Sequence, residues 1–230
     1  DMAKRLEDAG ASAIVMYSLF EEEITAEEDE LEQHWKDQDS GNAEAGEYLP
    51  VHYDYRTTRE SYLEQIAALK NALDIPVIAS LNGATPSGWT EHAREIQDAG
   101  ADALELNIYY IAADMGQSSQ TVEDRYVEIL QLIKETIYLP ITLKLSQQFT
   151  SPLHFIKRLE HAGADGVALV NRFFHPDINL DQQEVIRTLN ASSPYESLIR
   201  LHWIGLLHKR VNLSLAATGG IHSANDAIKM

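Results

Sequence analysis

The sequence predicts an α/β protein: a (β/α)8 TIM barrel truncated at both ends, so that six of its eight strands are present. The first observation is a repeat in which a helix ends, the chain passes through Ala-Gly-Ala and a short apolar strand begins, at 7–18, 97–109 and 160–171. The second is a different strand segment after each repeat, at 74–83, 138–146 and 211–220. Strands and helices therefore alternate, as in βαβ units that build a parallel sheet.

The strand segments are short continuous apolar runs, which are typical of parallel strands covered on both faces. Six strands are predicted, at 13–18, 76–82, 103–109, 140–146, 166–171 and 213–218. Because the chain begins and ends in helical segments, the first and eighth barrel strands are expected to be the missing ones. A complete six-stranded doubly wound sheet is the alternative. The repeated strand motif favours the barrel, since every barrel unit occupies an equivalent position.

Glycine, proline and apolar spacing mark the element boundaries. The three repeat glycines suit the residue after a helix, where a positive φ costs glycine little; they are Gly10, Gly100 and Gly163. Pro76 and Pro140 suit the first residue of a strand. Between strands, apolar residues recur every three or four positions, as in an amphipathic helix, for example at Tyr62, Ile66, Leu69 and Leu73.

The whole chain, 1–230, is predicted to be a single barrel domain with a long acidic loop insertion at about 19–60. Eight of the twelve residues in 21–32 are acidic, and we interpret 21–36 as an exposed acidic helix. A tyrosine and arginine cluster follows, comprising Tyr48, Tyr53, Tyr55, Arg56 and Arg59. Because the insertion follows the end of a strand, it could instead cover the barrel mouth or make a subunit contact, which leaves a homodimer open.

Composition excludes several classes of function. The formal net charge is −18, which opposes binding to nucleic acid or to an anionic membrane. Cysteine is absent, so disulfides, thiolate metal sites and cysteine nucleophiles are excluded. No apolar run approaches the length of a transmembrane helix. We therefore expect a cytoplasmic protein with a small-molecule substrate and no nucleic-acid or membrane partner.

Candidate site residues follow the strands, because ligands of such folds bind beyond the carboxyl ends of the strands. Amides, hydroxyls, one ammonium group and paired glycines occur there, while Glu105 is the only carboxylate on these strands. This favours a planar, polar, anionic ligand and opposes a metal site or two-carboxylate glycoside chemistry. No histidine shows metal-ligand spacing, so no metal is predicted.

Two features of these exits indicate an anion. Lys144 lies inside an apolar strand, where lysine is rarely buried without a partner; its ammonium group either enters the barrel mouth or points outward at the edge of the helix layer. The run Thr218, Gly219 and Gly220 ends the sixth strand before a capped helix. Such glycines let backbone N–H groups approach a phosphate, although a plain tight turn would have the same sequence.

These motifs together resemble the dihydroorotate dehydrogenase family of FMN-dependent barrels. The segments that carry the resemblance are IASLNG, LELNI, ITLKLS, LVNR and AATGGIHSANDAIKM, in this order, from Leu6 to Met230. The segment YSLFEEEI is closest to the PSLFEEQI-type start of a dihydroorotate dehydrogenase-like subgroup. The resemblance implies that the domain is an FMN-binding barrel.

The resemblance also implies roles for individual residues. Lys144 would lie at the pyrimidine edge of the flavin and stabilise negative charge on the reduced ring. Thr218, Gly219 and Gly220 would hold the FMN phosphate. Asn107 would bind the substrate, and Asn171 the substrate or the flavin. Ser18 would contact the flavin.

The sequence departs from the family pattern at three places. The family's general base is a Cys or Ser in an Asn-x-Ser-Cys-Pro-Asn loop, and Tyr110 occupies that position here. The family's Lys-Ser pair reads Tyr17-Ser18, and its glycine-rich phosphate segment reads SSPYESLIRLHW at 192–203. A tyrosine with an ordinary pKa of about 10 is a poor base near neutral pH. Lys144 and Tyr110 are the predicted catalytic residues, with slow turnover of dihydroorotate expected.

The function predicted is that of an FMN-dependent oxidoreductase acting on CH–CH groups in pyrimidine biosynthesis. One alternative is a flavin- or phosphate-binding barrel without dehydrogenase activity. Another is a lyase or isomerase barrel in which Lys144 forms a Schiff base.

Overall fold

The structure, a computed structural model, describes residues 2–39, 57–171, 175–188 and 191–230. Helices and strands alternate over most of these ranges. The helices are α1 (Met2–Asp8), α2 (Glu21–Asp39), α3 (Thr58–Ala72), α4 (Pro86–Asp98), α5 (Ser119–Lys134), α6 (Pro152–His161), α7 (Glu196–Leu207) and α8 (Ala224–Lys229). The strands are β1 (Ile14–Phe20), β2 (Val77–Asn82), β3 (Ala103–Asn107), β4 (Ile141–Leu145), β5 (Gly166–Leu169), β6 (His175–Asn179), β7 (Glu184–Thr188) and β8 (Ser214–Ala217).

Six of these strands form one sheet in the order β1-β2-β3-β4-β5-β8. The pairs of β1 with β2, β4 with β5 and β5 with β8 are all parallel. The predicted α/β class and the six predicted strands are therefore confirmed. The order follows the chain without the reversal that a doubly wound sheet has at its switch point. It is the order of consecutive barrel strands, and β1 and β8 stand at its two ends.

Three strands end two residues away from their predicted ends. β3 ends at Asn107 instead of 109, β5 ends at Leu169 instead of 171, and β1 continues to Phe20 instead of 18. An apolar run does not reveal where the hydrogen bonds between strands stop, which explains the differences. Asn171 consequently lies in the loop after β5, where its N–H donates to the Leu145 carbonyl at 2.7 Å.

A β-hairpin that the sequence did not predict follows β5. β6 and β7 pair antiparallel, from His175 with Thr188 to Asn179 with Glu184, and form a separate two-stranded sheet. Its apolar side chains are exposed and are interrupted by polar residues. The hairpin therefore lacks the continuous apolar run by which the buried strands were recognised.

The acidic segment after β1 is helical, as predicted for 21–36. α2 begins directly after β1 and contains the acidic residues of 21–32. The predicted cluster of Tyr48, Tyr53, Tyr55 and Arg56 lies outside the described residues, whereas Arg59 lies on α3. Neither α2 nor any other helix in the described ranges is long and apolar enough to cross a membrane.

A buried carboxylate joins the start of α2 to the loop after β2. The Glu21 side chain accepts hydrogen bonds from the N–H groups of Ala84 and Thr85, at 2.5 and 3.0 Å, and from Thr85 Oγ1 at 2.5 Å. Burial raises the pKa of Glu21, but these hydrogen bonds and nearby His92 outweigh burial and lower it overall. A Cβ at Gly88 would overlap this carboxylate and force it to move.

The described residues form two compact units, Asp1–Leu104 and Glu105–Met230. Each has an apolar core in which the largest side chains are fully buried. In the first unit these include Tyr62, Ile66, Leu81 and Ile96. In the second they include Tyr126, Leu130, Ile133 and Phe155. Burial of each such side chain contributes about 1.5–3 kcal/mol to folding.

The Ala-Gly-Ala repeat has a structural basis in a shared set of contacts. Gly100 follows a helix with φ +94°, as glycine after a helix commonly does. Two residues later, Asp102 accepts hydrogen bonds from the Val77 N–H and from Lys70 Nζ, both at 2.7 Å. The carboxylate thereby holds the start of the preceding strand. The equivalent residues of the next repeat are Gly163, Asp165, Ile141 and Lys134.

Candidate functional site

Three of the predicted site residues lie at the ends of β3, β4 and β5 in the second compact unit, namely Asn107, Lys144 and Asn171. Along β4 the burial alternates, with Leu143 and Leu145 buried while Lys144 is partly exposed. Successive side chains of a strand point to opposite faces. Lys144 therefore lies on the face opposite these leucines and outside the apolar core.

Lys144 forms an ion pair with a buried carboxylate on β3. Its Nζ lies 3.3 Å from Oε1 of Glu105, whose side chain is 8% exposed. Among the described residues, Lys144 forms no other ion pair. An ammonium group has three N–H donors, so donors remain for a ligand. Lys144 thus presents a fixed positive charge, partly offset by Glu105.

Two asparagines are joined beside this pair. Asn107 follows Glu105 by two residues on β3 and is buried, and its Oδ1 accepts a hydrogen bond from Asn171 Nδ2 at 2.5 Å. Asn171 is held at the exit of β5 by its backbone bond to Leu145. The side-chain amides therefore have defined orientations, and each contains both a donor and an acceptor group.

Ser146 follows directly after β4, two residues beyond Lys144. It is buried, and its Oγ accepts a hydrogen bond from the Gln148 N–H at 3.1 Å. A small apolar cavity adjoins it and is lined in part by Leu145, Phe155 and Trp203. Ser146 itself lines this cavity, whereas Lys144, Asn107 and Asn171 do not.

Tyr110 is engaged within the loop between β3 and α5. Its hydroxyl donates to Gln117 Oε1 at 2.5 Å, and the guanidinium of Arg125 lies 4.1 Å from the centre of its ring. Lys144 is the only cation on the predicted strands, and Arg125 adds a second cation beside Tyr110 from α5. The arginine was missed because it lies on α5, fifteen positions beyond Tyr110.

A second tyrosine holds the start of the same loop through a hydrogen bond. Tyr126 is fully buried, and its hydroxyl donates to the Ile108 carbonyl at 3.3 Å, immediately after Asn107. Burial raises the pKa of Tyr126 to about 12, although nearby Arg125 acts in the opposite direction. The phenol is therefore a neutral donor that holds the end of β3.

The Thr-Gly-Gly turn (residues 218–220) follows β8. The Thr218 N–H donates to the Leu169 carbonyl at 2.8 Å, and both glycines have positive φ, +83° for Gly219 and +78° for Gly220. A Cβ at Gly220 would overlap the backbone nitrogen of Ser197 at the start of α7. Glycine is therefore required for the close approach of this turn to α7.

A buried arginine that the sequence analysis did not single out contacts this turn. Arg200 on α7 is 3% exposed, and its Nε donates to the Thr218 carbonyl at 2.9 Å. Its sequence signal is that it is the only arginine or lysine in 192–203, four positions after Glu196. Glu105 could be recognised in a similar way, because it is the only carboxylate on the predicted strands.

Ser18, the remaining predicted cofactor residue, lies on β1 in the first compact unit. Its Oγ is 2.7 Å from the Oγ of Ser80, its register partner on β2. The preceding Tyr17 donates to Gln65 Oε1 at 3.0 Å. The pairing of β1 with β2 is irregular between Val15 and Ser18, so simple alternation does not hold across this segment.

A parallel sheet whose strands follow chain order and alternate with helices defines an α/β protein of the barrel type. The family model described as dihydroorotate dehydrogenase matches residues 51–230. The chain therefore belongs to the dihydroorotate dehydrogenase family, which confirms the resemblance carried by its motifs.

Curated relatives have the same family name. The catalytic subunit of dihydroorotate dehydrogenase B (NAD(+)) from Geobacillus sp. (strain WCH70) is 32% identical over 161 residues, 68% of this chain and 51% of the relative. The subunit of that name from Geobacillus kaustophilus is 29% identical over 175 residues, 74% of this chain and 56% of the relative. The chain thus spans about half the length of the curated relatives it matches.

A solved structure supports the fold. A Pseudomonas aeruginosa protein assigned as a dihydrodipicolinate synthetase aligns with 94% of this chain and 55% of its own, with a TM-score of 0.50 and 16% sequence identity. At this identity the similarity concerns the fold alone, because one barrel fold supports many unrelated activities.

Proposed function

We propose that this chain is an FMN-dependent oxidoreductase that acts on a CH–CH group of a small molecule, as part of pyrimidine biosynthesis. The observation that carries the proposal is the Lys144–Glu105 ion pair next to the Asn107–Asn171 amide pair, in a chain of the dihydroorotate dehydrogenase family. FMN, when bound, supplies the redox chemistry by accepting the hydride from the substrate.

Lys144 would provide the positive charge at the pyrimidine edge of the flavin. A fixed cation stabilises negative charge that develops beside it, and stabilisation is largest where the cation is already oriented. Glu105 supports this role because it holds the ammonium group at 3.3 Å without covering all of its donors.

Asn107 and Asn171 would bind the substrate, and Asn171 would also contact the flavin. A pyrimidine ring has alternating N–H and C=O groups, which side-chain amides can match as acceptor and donor. The hydrogen bond between the two asparagines orients both amides before a ligand arrives. Such preorganisation lowers the entropy lost on binding.

The Thr-Gly-Gly turn would hold the phosphate, with Ser18 as a further flavin contact. The fit is supported by the turn itself, because two successive glycines with positive φ allow the backbone to approach a ligand closely. The glycine-rich half of the family's phosphate site is replaced here by α7. The turn thus suits the phosphate group of a flavin mononucleotide.

The general base is where this chain departs from its family. Tyr110 donates its proton to Gln117, so its oxygen is committed as a donor within its own loop. Ser146 is an alternative proton acceptor, because its hydroxyl also lies at the exit of β4. We propose that proton removal is the weak step and that dihydroorotate is oxidised slowly.

The Schiff-base alternative is less favoured by the geometry. Lysines that form Schiff bases are activated by an apolar pocket or by a neighbouring cation, whereas Lys144 is paired with a carboxylate. The third function, a flavin- or phosphate-binding barrel without dehydrogenase activity, differs from the first in the reaction alone. The experiment must therefore include a substrate.

The test is to mix the FMN-loaded protein with dihydroorotate without oxygen and to follow the visible flavin absorption. Bleaching accompanied by orotate supports the proposed reaction, however slow the bleaching is. A bound flavin that dihydroorotate leaves oxidised, at any substrate concentration, overturns the proposal. Covalent trapping of a carbonyl substrate on Lys144 by borohydride would favour the lyase or isomerase function.

A further inference from the structure

The Arg200 side chain is a buried charge that forms hydrogen bonds to its own helix and to the Thr-Gly-Gly turn. Nε donates to the Thr218 carbonyl at 2.9 Å, one terminal nitrogen donates to the Glu196 carbonyl at 2.8 Å, and the other lies 3.3 Å from the Glu196 carboxylate. An arginine is rarely buried unless it is paired in this way. The guanidinium therefore ties the exit of β8 to the first turn of α7.

This bond sets the direction of an N–H group that the proposed phosphate site needs. The Thr218 carbonyl and the Gly219 N–H belong to the same peptide unit. In a planar trans peptide the carbonyl and the N–H point in opposite directions. Because Arg200 holds the carbonyl on the side of α7, the Gly219 N–H points away from the guanidinium.

The close contact at the other end of the turn strengthens this constraint. Gly220 lies against the backbone of Ser197 so closely that a Cβ there would overlap the Ser197 nitrogen. The turn is therefore fixed to α7 at two points. The Arg200 side chain holds the Thr218 carbonyl, and Gly220 packs against the backbone of Ser197. Segment 192–203, which precedes and includes much of α7, contains no glycine.

We propose that Arg200 is a positioning residue for the phosphate of the bound mononucleotide, a role that rests on the proposed FMN site. It fixes the peptide between Thr218 and Gly219 so that the Gly219 N–H is available to a phosphate monoester. In this chain the anchor of the phosphate turn is thus a side chain on α7 instead of a glycine-rich loop.

The experiment compares two ligands that differ in the phosphate. Dissociation constants of FMN and riboflavin are measured by quenching of flavin fluorescence in the parent protein, Arg200→Ala and Arg200→Lys. Lysine keeps the charge but lacks the forked donors that contact Thr218 and Glu196 together. We expect the parent to prefer FMN, and both variants to lose at least about tenfold of that preference with riboflavin affinity unchanged.

Arg158→Lys is the matched control. Arg158 is an arginine of the same compact unit that pairs with Glu123 and Asp124, and within the described ranges neither ion pair involves the turn. Its replacement should leave the preference for FMN over riboflavin unchanged. Circular dichroism and thermal unfolding identify which variants are folded.

A second measurement needs no variant. Hydrogen exchange at the Gly219 N–H in the parent protein should slow on addition of FMN and should not slow with riboflavin. A folded Arg200 variant that keeps the parent's preference overturns the role of Arg200 alone. A parent that binds both flavins equally, or a Gly219 N–H that FMN does not protect, overturns the phosphate assignment and the role of Arg200 with it.

Discussion

Lys144 Nζ and Glu105 Oε1 lie 3.3 Å apart across β4 and β3, so the positive charge of the candidate site belongs to an ion pair. The carboxylate is buried and the ammonium group is partly exposed. A solvent-exposed ion pair contributes about 0–1 kcal/mol to the stability of the fold. Removing one partner of a buried ion pair costs more, because the remaining charge is left uncompensated. Glu105 therefore orients the Lys144 ammonium group and also neutralises part of its charge.

Glu105→Gln should make the bound flavin easier to reduce. Glutamine keeps an oxygen that can accept from Lys144 but removes the negative charge, so more of the ammonium charge acts on the flavin. A rise in midpoint potential of about 30 mV would correspond to about 1.4 kcal/mol for a two-electron couple. Equilibration with redox dyes measures this potential, and an unchanged or lowered value would refute partial neutralisation.

Asp165→Asn is the matched control for that variant. Asp165 pairs with Lys134 at 3.0 Å and holds the start of β4 at Ile141, whereas Lys144 lies near its end. The same change of charge at this pair should leave the flavin potential unaltered. A shift equal to that of Glu105→Gln would indicate a general effect of net charge.

Lys144→Ala should impair flavin reduction more than flavin binding. The charge of Lys144 matters most once negative charge develops on the ring, and interactions stronger in the transition state than in the ground state affect rate more than affinity. FMN affinity is measured by titration, and the reduction rate by anaerobic stopped-flow spectroscopy. Unchanged reduction kinetics in the folded variant would contradict the role given to Lys144.

Dihydroorotate should reduce the protein slowly, and Tyr110→Phe should not slow it further. A general base typically contributes about 10²–10⁴-fold to the rate, while the Tyr110 hydroxyl donates to Gln117. The measurement is the rate of anaerobic bleaching by dihydroorotate. Rapid bleaching in the parent refutes slow turnover, and loss of bleaching in Tyr110→Phe would identify Tyr110 as the base.

Tyr126→Phe should increase resistance to alkaline unfolding relative to the parent. Burial raises the pKa of Tyr126 to about 12 in the folded state, above its ordinary value of 10.0. Below pH 10 the phenol is protonated in both states, and its contribution to stability is fully present. Between these values the unfolded chain loses the proton first, so parent stability falls by up to about 1.4 kcal/mol per pH unit.

Phenylalanine has no ionisable proton, so the stability of the variant relative to the parent should increase as the pH rises. Near neutral pH the variant should be less stable by about 0.5–1.5 kcal/mol, because the hydrogen bond to Ile108 is lost. Urea unfolding of both proteins at neutral and alkaline pH measures the difference. Tyr138→Phe, at a side chain that is 97% exposed, controls for the substitution. A difference between parent and Tyr126→Phe that is independent of pH would contradict the raised pKa.

Much of the fold could be predicted because its signals are local. The Ala-Gly-Ala repeat marks a helix end and a strand start, and Gly100 and Gly163 have the positive φ that this position favours. The hairpin of β6 and β7 could not be predicted in the same way. Its strands are stabilised by each other and not by burial, so they lack an apolar run.

The site was predictable as a set of strand exits but not as a set of contacts. Lys144 and Glu105 are 39 positions apart, and only the order and register of the strands bring them together. The anchor of the phosphate turn was harder to foresee, because Arg200 lies on a helix in a segment that departs from the family pattern. Contacts between side chains of distant elements depend on packing, which periodicity does not encode.

The most direct test of the central claim is a spectral titration of the purified protein with FMN. Binding to an ordered site that contains Lys144 and the Thr-Gly-Gly turn predicts a saturable change in the visible flavin spectrum, with one FMN bound per chain. A spectrum that remains that of free FMN at every protein concentration would contradict the assignment of this chain as an FMN-dependent oxidoreductase.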